Sequence, residues 1–164
     1  MSQAFAIPSI CIFLNKVELN TSNIFSVYII HYTIITLFWI AVSIAKTKNA
    51  PGAIGPYSQA IEVNGMLFIS GQIPINPATG NIEATDIEGQ AKQSIENIGA
   101  ILAEAGTTFE KVVKTTCFLS DMADFAAFNA VYAEYFTSKP ARSCVAVKTL
   151  PKNVLCEVEV IAEI

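Results

Sequence analysis

From Val154 to the C-terminal Ile164 the chain alternates. Val154, Cys156, Val158, Val160, Ala162 and Ile164 fall on one side of an extended strand, and Glu157, Glu159 and Glu163 fall on the other. A period of two matches the pleat of a β-strand and cannot lay an apolar stripe along a helix. Such a strand requires a sheet with one buried face and one face that carries carboxylates, so all-helical folds are excluded at once.

The remainder of the chain after position 45 supplies the partners for that strand. Ile61 to Val63 and Met66 to Ser70 flank Asn64-Gly65, the pair that supplies the two positive φ angles of a type I′ hairpin turn. A second turn is expected over Asn76-Pro77-Ala78-Thr79-Gly80. Thr85 or Asp86 then caps a helix whose Ile87, Ala91, Ile95, Ile98 and Leu102 recur at helical spacing, ended by Gly106. Val112 to Leu119 reads as a strand and Asp121 as a further N-cap. Phe125, Phe128, Tyr132, Tyr135 and Phe136 form the stripe of a second helix. Two more strands, Ser143 to Leu150 and Val154 to Ile164, are joined by the turn Pro151-Lys152-Asn153. The order predicts an α+β domain, a sheet with two helices on one face. Its other face needs cover, and a second subunit is the economical solution.

At 164 residues one domain with a real core is expected. Residues 46–164 form that domain and 1–45 an apolar extension. From Ile24 to Ala45 there is no Asp, Glu, Lys or Arg, a length that suits a membrane-spanning helix. Lys46 and Lys48 follow the run, so a helix anchored there leaves the domain in the cytoplasm. The competing reading is translated upstream sequence that is no part of the working protein. A cleaved signal peptide would use Ser43-Ile44-Ala45. Mitochondrial import is disfavoured because no Arg precedes Arg142.

Net charge of −4 leaves no basic footprint for nucleic acid. The cysteines at 11, 117, 144 and 156 form no CxxC pair, which argues against a zinc site or a thioredoxin-like motif and for a reduced intracellular domain. The sole histidine, His31, lies in the apolar run, so the domain has none to serve a serine-hydrolase triad or a metal.

Several motifs follow one another in order: Thr47-Lys48-Asn49-Ala50-Pro51, Ile54-Gly55-Pro56-Tyr57-Ser58-Gln59-Ala60, Ile69-Ser70-Gly71-Gln72-Ile73-Pro74, Asn97-Ile98, Val113-Lys114-Thr115-Thr116, Phe128-Asn129 with Tyr132 and Tyr135-Phe136, Pro140-Ala141-Arg142-Ser143-Cys144-Val145 and Leu150-Pro151-Lys152 before Glu157-Val158-Glu159. With these, residues 46–164 resemble the RidA (YjgF) family over nearly its full length. The resemblance implies a chorismate-mutase-like α+β fold, a homotrimer with active sites between subunits, and hydrolysis of 2-aminoacrylate and 2-iminobutanoate to 2-keto acids and ammonia without a cofactor.

Arg142 is the only arginine, and a guanidinium can grip a carboxylate through two parallel charged hydrogen bonds. Within its motif the resemblance gives it the substrate's carboxylate; outside it, a surface ion pair would be the usual fate. Imine hydrolysis needs a positioned water and proton transfer. Pattern alone does not separate Glu157 from Glu159, and the resemblance selects Glu157 for the water. Cys144 has no activating histidine, so its backbone is the expected contributor. Tyr57, Ser70, Gly71 and Asn129 complete the expected substrate contacts, against ordinary readings as a core tyrosine, strand-end residues and a helix-surface amide. The loop 137–141 is shorter than in many relatives, which bears on substrate size. The alternatives are a non-catalytic binder of small acids on the same scaffold, or a ribonuclease or translation inhibitor, which the acidic balance disfavours.

Overall fold

The computed structural model describes residues 42–164; the Ile24–Ala45 run up to position 41, with Cys11 and His31, lies outside them. Among the described residues no helix is long and apolar enough to cross a membrane.

The chain forms strands β1 (Ser43–Ala45), β2 (Ala60–Val63) and β3 (Met66–Gln72), helix α1 (Ile87–Glu104), strand β4 (Val112–Leu119), helix α2 (Phe125–Tyr135), and strands β5 (Ala141–Ala146) and β6 (Cys156–Glu163). They build one mixed sheet in the order β1-β2-β3-β6-β4-β5. All neighbours are antiparallel except β4 and β5. The sheet reaches back further than position 46: Ser43, Ile44 and Ala45 pair with Glu62, Ile61 and Ala60. These three residues, counted by composition with the apolar extension, are the edge strand of the domain.

The local signals act as expected. Asn64 and Gly65 have φ of 53° and 73°, the left-handed pair that turns β2 into β3. Of the two cap candidates Asp86 is the one used: its Oδ1 accepts from Gly89 N at 2.8 Å. Asp121 caps a short 3-10 turn, accepting from Ala123 N, and that turn runs directly into α2. β6 keeps its alternation, with Cys156, Val158, Val160 and Ala162 buried under the helices.

Two expectations for the last third need correcting. The strands end earlier, at Ala146 and Glu163, leaving Ile164 44% exposed. Furthermore, β5 and β6 are not neighbours, because β4 lies between them. Lys152 and Asn153 take positive φ in the connection, and Leu150 is buried within it, so the segment steps past the end of β4 rather than folding back as a hairpin.

The core lies between the helices and the sheet. It is built from Leu67, Ile69, Ile95, Ile98, Ile101, Leu102, Leu119, Phe128, Val158 and Val160, all at most 4% exposed. The opposite face leaves Phe68, Val113 and Val145 more than two-fifths exposed. Buried amides fasten the loops. Gln59 accepts from Thr47 N and donates to the carbonyls of Thr47, Ala50 and Pro51, tying that entire segment to β2. Asn97 on α1 donates to Ile73 O and Ile75 O. Each of these amides would be costly to bury without its partners.

Candidate active site in two halves

The expected site residues fall into two groups. Tyr57, Ser70, Gly71 and Glu157 line a cleft of about 320 Å³ together with Ile54, Ile73 and Pro151. Arg142 and Asn129 line another of about 440 Å³ with Tyr132, Ala133, Lys139 and Pro140. Cys144 lines neither.

Strand register explains the separation. Paired residues on adjacent strands point to the same side of a sheet. Arg142 pairs with Thr115 and Thr115 with Val160, both wholly or almost wholly buried on the helix side. Glu157 pairs with Phe118, and Phe118 with the exposed Val145 on the open side. The guanidinium and the carboxyl therefore lie on opposite faces of the sheet within one chain.

A β-bulge shapes the first half. Between Ile69 and Gln72 strand β3 holds one residue more than β6 holds between Val160 and Val158, so Ser70 and Gly71 together face Glu159. The extra residue turns Gln72 inward, where it is 5% exposed and donates to Ser70 O at 2.9 Å. Ser70 Oγ donates to Ser58 O at 2.7 Å, which leaves its lone pairs for a ligand. The Glu157 side chain lies directly over Gly71, in the space where a Cβ at that position would stand. Gly71→Ala should therefore displace the carboxyl from this position, and a structure of the variant with Glu157 unmoved would contradict that.

Partial burial pushes the Glu157 carboxyl above the ordinary glutamate range, and the nearby Glu159 charge adds to the effect. In the window just above that range the native state binds more protons than the unfolded chain, so the group costs stability as pH rises through it. Glu157→Gln should be more stable than wild type at neutral pH, with the advantage shrinking as the solution is acidified below the ordinary glutamate value. Denaturant midpoints measured across pH test this, and a pH-independent difference would contradict it.

Tyr57 is 49% exposed at the cleft mouth, its phenol accepting from Ile54 N at 3.3 Å. In the other half, Arg142 donates from Nη1 to Asn129 Oδ1 at 2.8 Å. Its Cζ lies 4.5 Å from the Tyr132 ring centroid and 5.6 Å from that of Phe125. The ion pairs among the described residues are Lys92–Glu96 and Lys111–Glu163, so Arg142 keeps its charge for a ligand. Lys139 and Pro140 of the short loop form the rim of this cleft.

Cys144 sits beside Cys117 in the β4–β5 ladder. Burial raises its thiol despite the neighbouring Arg142 guanidinium. Burial, above all, pushes Cys117 and Cys156 up to about 12. Raised thiols of this kind disfavour a nucleophilic role for Cys144.

Sequence reasoning missed Ile54, Ile73 and Pro151 as cleft walls, and Gln72 as the clamp of the bulge. A glutamine inside an apolar strand pattern was the available signal for the clamp. Among the described residues no cluster of His, Cys, Asp or Glu could hold a metal ion.

Residues 47–164 match a family model described as Endoribonuclease L-PSP. A RutC family protein of Pyrococcus horikoshii is 58% identical over 117 residues, 71% of this chain and 93% of that protein. The 2-iminobutanoate/2-iminopropanoate deaminase of Escherichia coli is 50% identical over 120 residues, again 71% of this chain and 93% of that one. Among solved structures, E. coli TdcF with bound serine matches with a TM-score of 0.71 at 46% identity, over 74% of this chain and 98% of that one.

Proposed function

The chain belongs to the Endoribonuclease L-PSP family, the RidA (YjgF) proteins, and from that premise we propose that it hydrolyses short 2-imino and 2-enamino acids to 2-keto acids and ammonia. The observation that carries the reading is Arg142, a guanidinium held at a cleft by Asn129 and free of any ion pair among the described residues. That arrangement suits a small carboxylate. The relative named as a deaminase acts on such acids, and TdcF holds serine, an amino acid of the same size.

Because Arg142 and Glu157 occupy opposite faces of the sheet, one chain cannot offer both to one substrate. We place the working site between copies in a homotrimer, the Arg142 cleft of one protomer closed by the Tyr57–Glu157 cleft of the next. The exposed Phe68, Val113 and Val145 are the apolar surface such an assembly would cover.

The chemistry follows from the parts. Arg142 takes the carboxylate and places C2 against Glu157. The substrate reacts as its iminium, C=NH2+, formed from an enamine by solvent protonation at C3 or from an imine by protonation at nitrogen. Ionised Glu157 accepts a proton from water as its oxygen bonds to C2 and the C=N electron pair moves to nitrogen. Glu157 then returns the proton to that nitrogen, the C–N bond breaks, ammonia leaves, and loss of the hydroxyl proton completes the keto group. One carboxyl serves both transfers, and its raised pKa suits that double duty. The family's description as an endoribonuclease would call for a basic surface, which a chain of net charge −4 does not provide.

The test is keto-acid release from a threonine dehydratase reaction run with and without this protein. The expected result is a faster release of 2-oxobutanoate than the imine's spontaneous decay allows. A protein that binds 2-oxobutanoate yet leaves the rate unchanged would be a sensor of small acids, and the deaminase reading would fall.

A further inference from the structure

We propose that Tyr132 is a positioning residue that sets the plane of the Arg142 guanidinium for its carboxylate ligand. The inference rests on the carboxylate-binding role proposed above for Arg142. Phe125, Asn129 and Tyr132 succeed one another on α2 at spacings of four and three, which places all three side chains on one face of the helix. Arg142 meets each of them: Asn129 by a hydrogen bond of 2.8 Å, and the two rings at 4.5 and 5.6 Å.

The Tyr132 ring cannot easily yield. It is 6% exposed and stacks on Phe136, with centroids 4.3 Å apart and planes 24° from parallel. Its hydroxyl shares a buried hydrogen bond of 2.8 Å with Thr115 Oγ1. Thr115 is the residue paired with Arg142 in the β4–β5 ladder. A closed circuit results, in which the backbone of Arg142 is fixed beside Thr115, Thr115 holds the tyrosine, and the tyrosine ring holds the far end of the same arginine.

A guanidinium stacked on a ring face keeps its edge open for in-plane hydrogen bonds. Asn129 occupies one of its five N–H groups, and among the described residues no other side chain takes the rest, which leaves them for a ligand. Fixing the plane before binding removes part of the ordering cost of a flexible side chain. The carboxylate is gripped alike in ground and transition states, so the contribution belongs in KM rather than kcat.

The experiment compares Tyr132→Phe, Tyr132→Leu and Phe125→Leu with wild type. It measures kcat and KM for 2-iminobutanoate, the Kd of 2-oxobutanoate, and the ring-current shift of the Arg142 Nε–Hε NMR signal. Tyr132→Leu should raise KM and Kd about 5- to 30-fold, the range for losing a partly desolvated cation–π contact, with kcat within about threefold. Tyr132→Phe keeps the ring but loses the hydrogen bond to Thr115 that holds it and should raise KM and Kd about 2- to 5-fold with kcat little changed, while Phe125→Leu, at the longer distance, should raise KM by about the same factor.

If Tyr132→Leu does not fold, Tyr132→Phe decides: KM, Kd and the Arg142 signal all unchanged on loss of the Thr115 hydrogen bond would overturn the positioning role. Should KM and Kd stay unchanged while the Arg142 signal keeps its shift without the ring, the positioning role is overturned. A kcat that falls at constant KM also overturns it. A wild type that binds 2-oxobutanoate without hydrolysing imines would remove the deaminase reading alone, and the Kd comparison would still test Tyr132.

Discussion

Arg142→Ala should lower kcat/KM for 2-iminobutanoate by about 10²- to 4 × 10³-fold, mostly through KM. Truncating one partner of a desolvated, hydrogen-bonded charge pair costs about 3–5 kcal/mol, and each 1.4 kcal/mol is about tenfold. The carboxylate does not change charge during hydrolysis, so the loss is chiefly one of binding. The fold should tolerate the change, because Arg142 is only half-buried on the edge strand β5 and forms no ion pair among the described residues. Steady-state kinetics beside a thermal melt check both statements. A loss smaller than about fivefold would assign carboxylate binding elsewhere.

Subunit mixing should give the second large effect. Glu157→Gln keeps the side chain's shape but cannot accept the water's proton, which should cost about 10²- to 10⁴-fold in kcat. In the homotrimer proposed above, assemblies of either variant alone are then nearly inactive at substrate concentrations well below the wild-type KM. If each site takes its guanidinium from one protomer and its carboxyl from the next, random co-assembly of equal amounts leaves about one site in four with both groups intact. Mixed assemblies should recover roughly a quarter of wild-type activity, at least tenfold above either variant alone. Mixtures no better than the average of the two separate variants would mean that one chain builds a complete site, against the face assignment of Arg142 and Glu157.

Local chemistry made much of the fold readable in the sequence. The alternation of β6 needs only the pleat, the Asn64-Gly65 turn only two positive φ angles, and the start of α1 only one carboxylate at Asp86. What local chemistry could not reveal was adjacency. Nothing in Ser143 to Ile164 states that β4 enters between β5 and β6, since that follows from packing across the whole sheet. β1 was hidden for a related reason: Ser43–Ala45 continues a charge-free run, and only its pairing with β2 distinguishes it.

The motifs point to Tyr57, Ser70, Gly71, Asn129, Arg142, Cys144 and Glu157; all but Cys144 line the two clefts, but their arrangement was not legible. That Arg142 faces the helices while Glu157 faces away depends on the register of three strands. The supporting groups were harder still. Tyr132 reads as one more apolar position of a helix stripe until its hydroxyl is found on Thr115 and its ring under Arg142.

The overlap between Glu157 and the empty side of Gly71 ties the fates of two positions far apart in the chain. The carboxyl can stand there because position 71 has no side chain; any Cβ would push the flexible end of Glu157 aside. If Glu157 moves the protons as proposed, the absence of a side chain at 71 decides where that acid can stand.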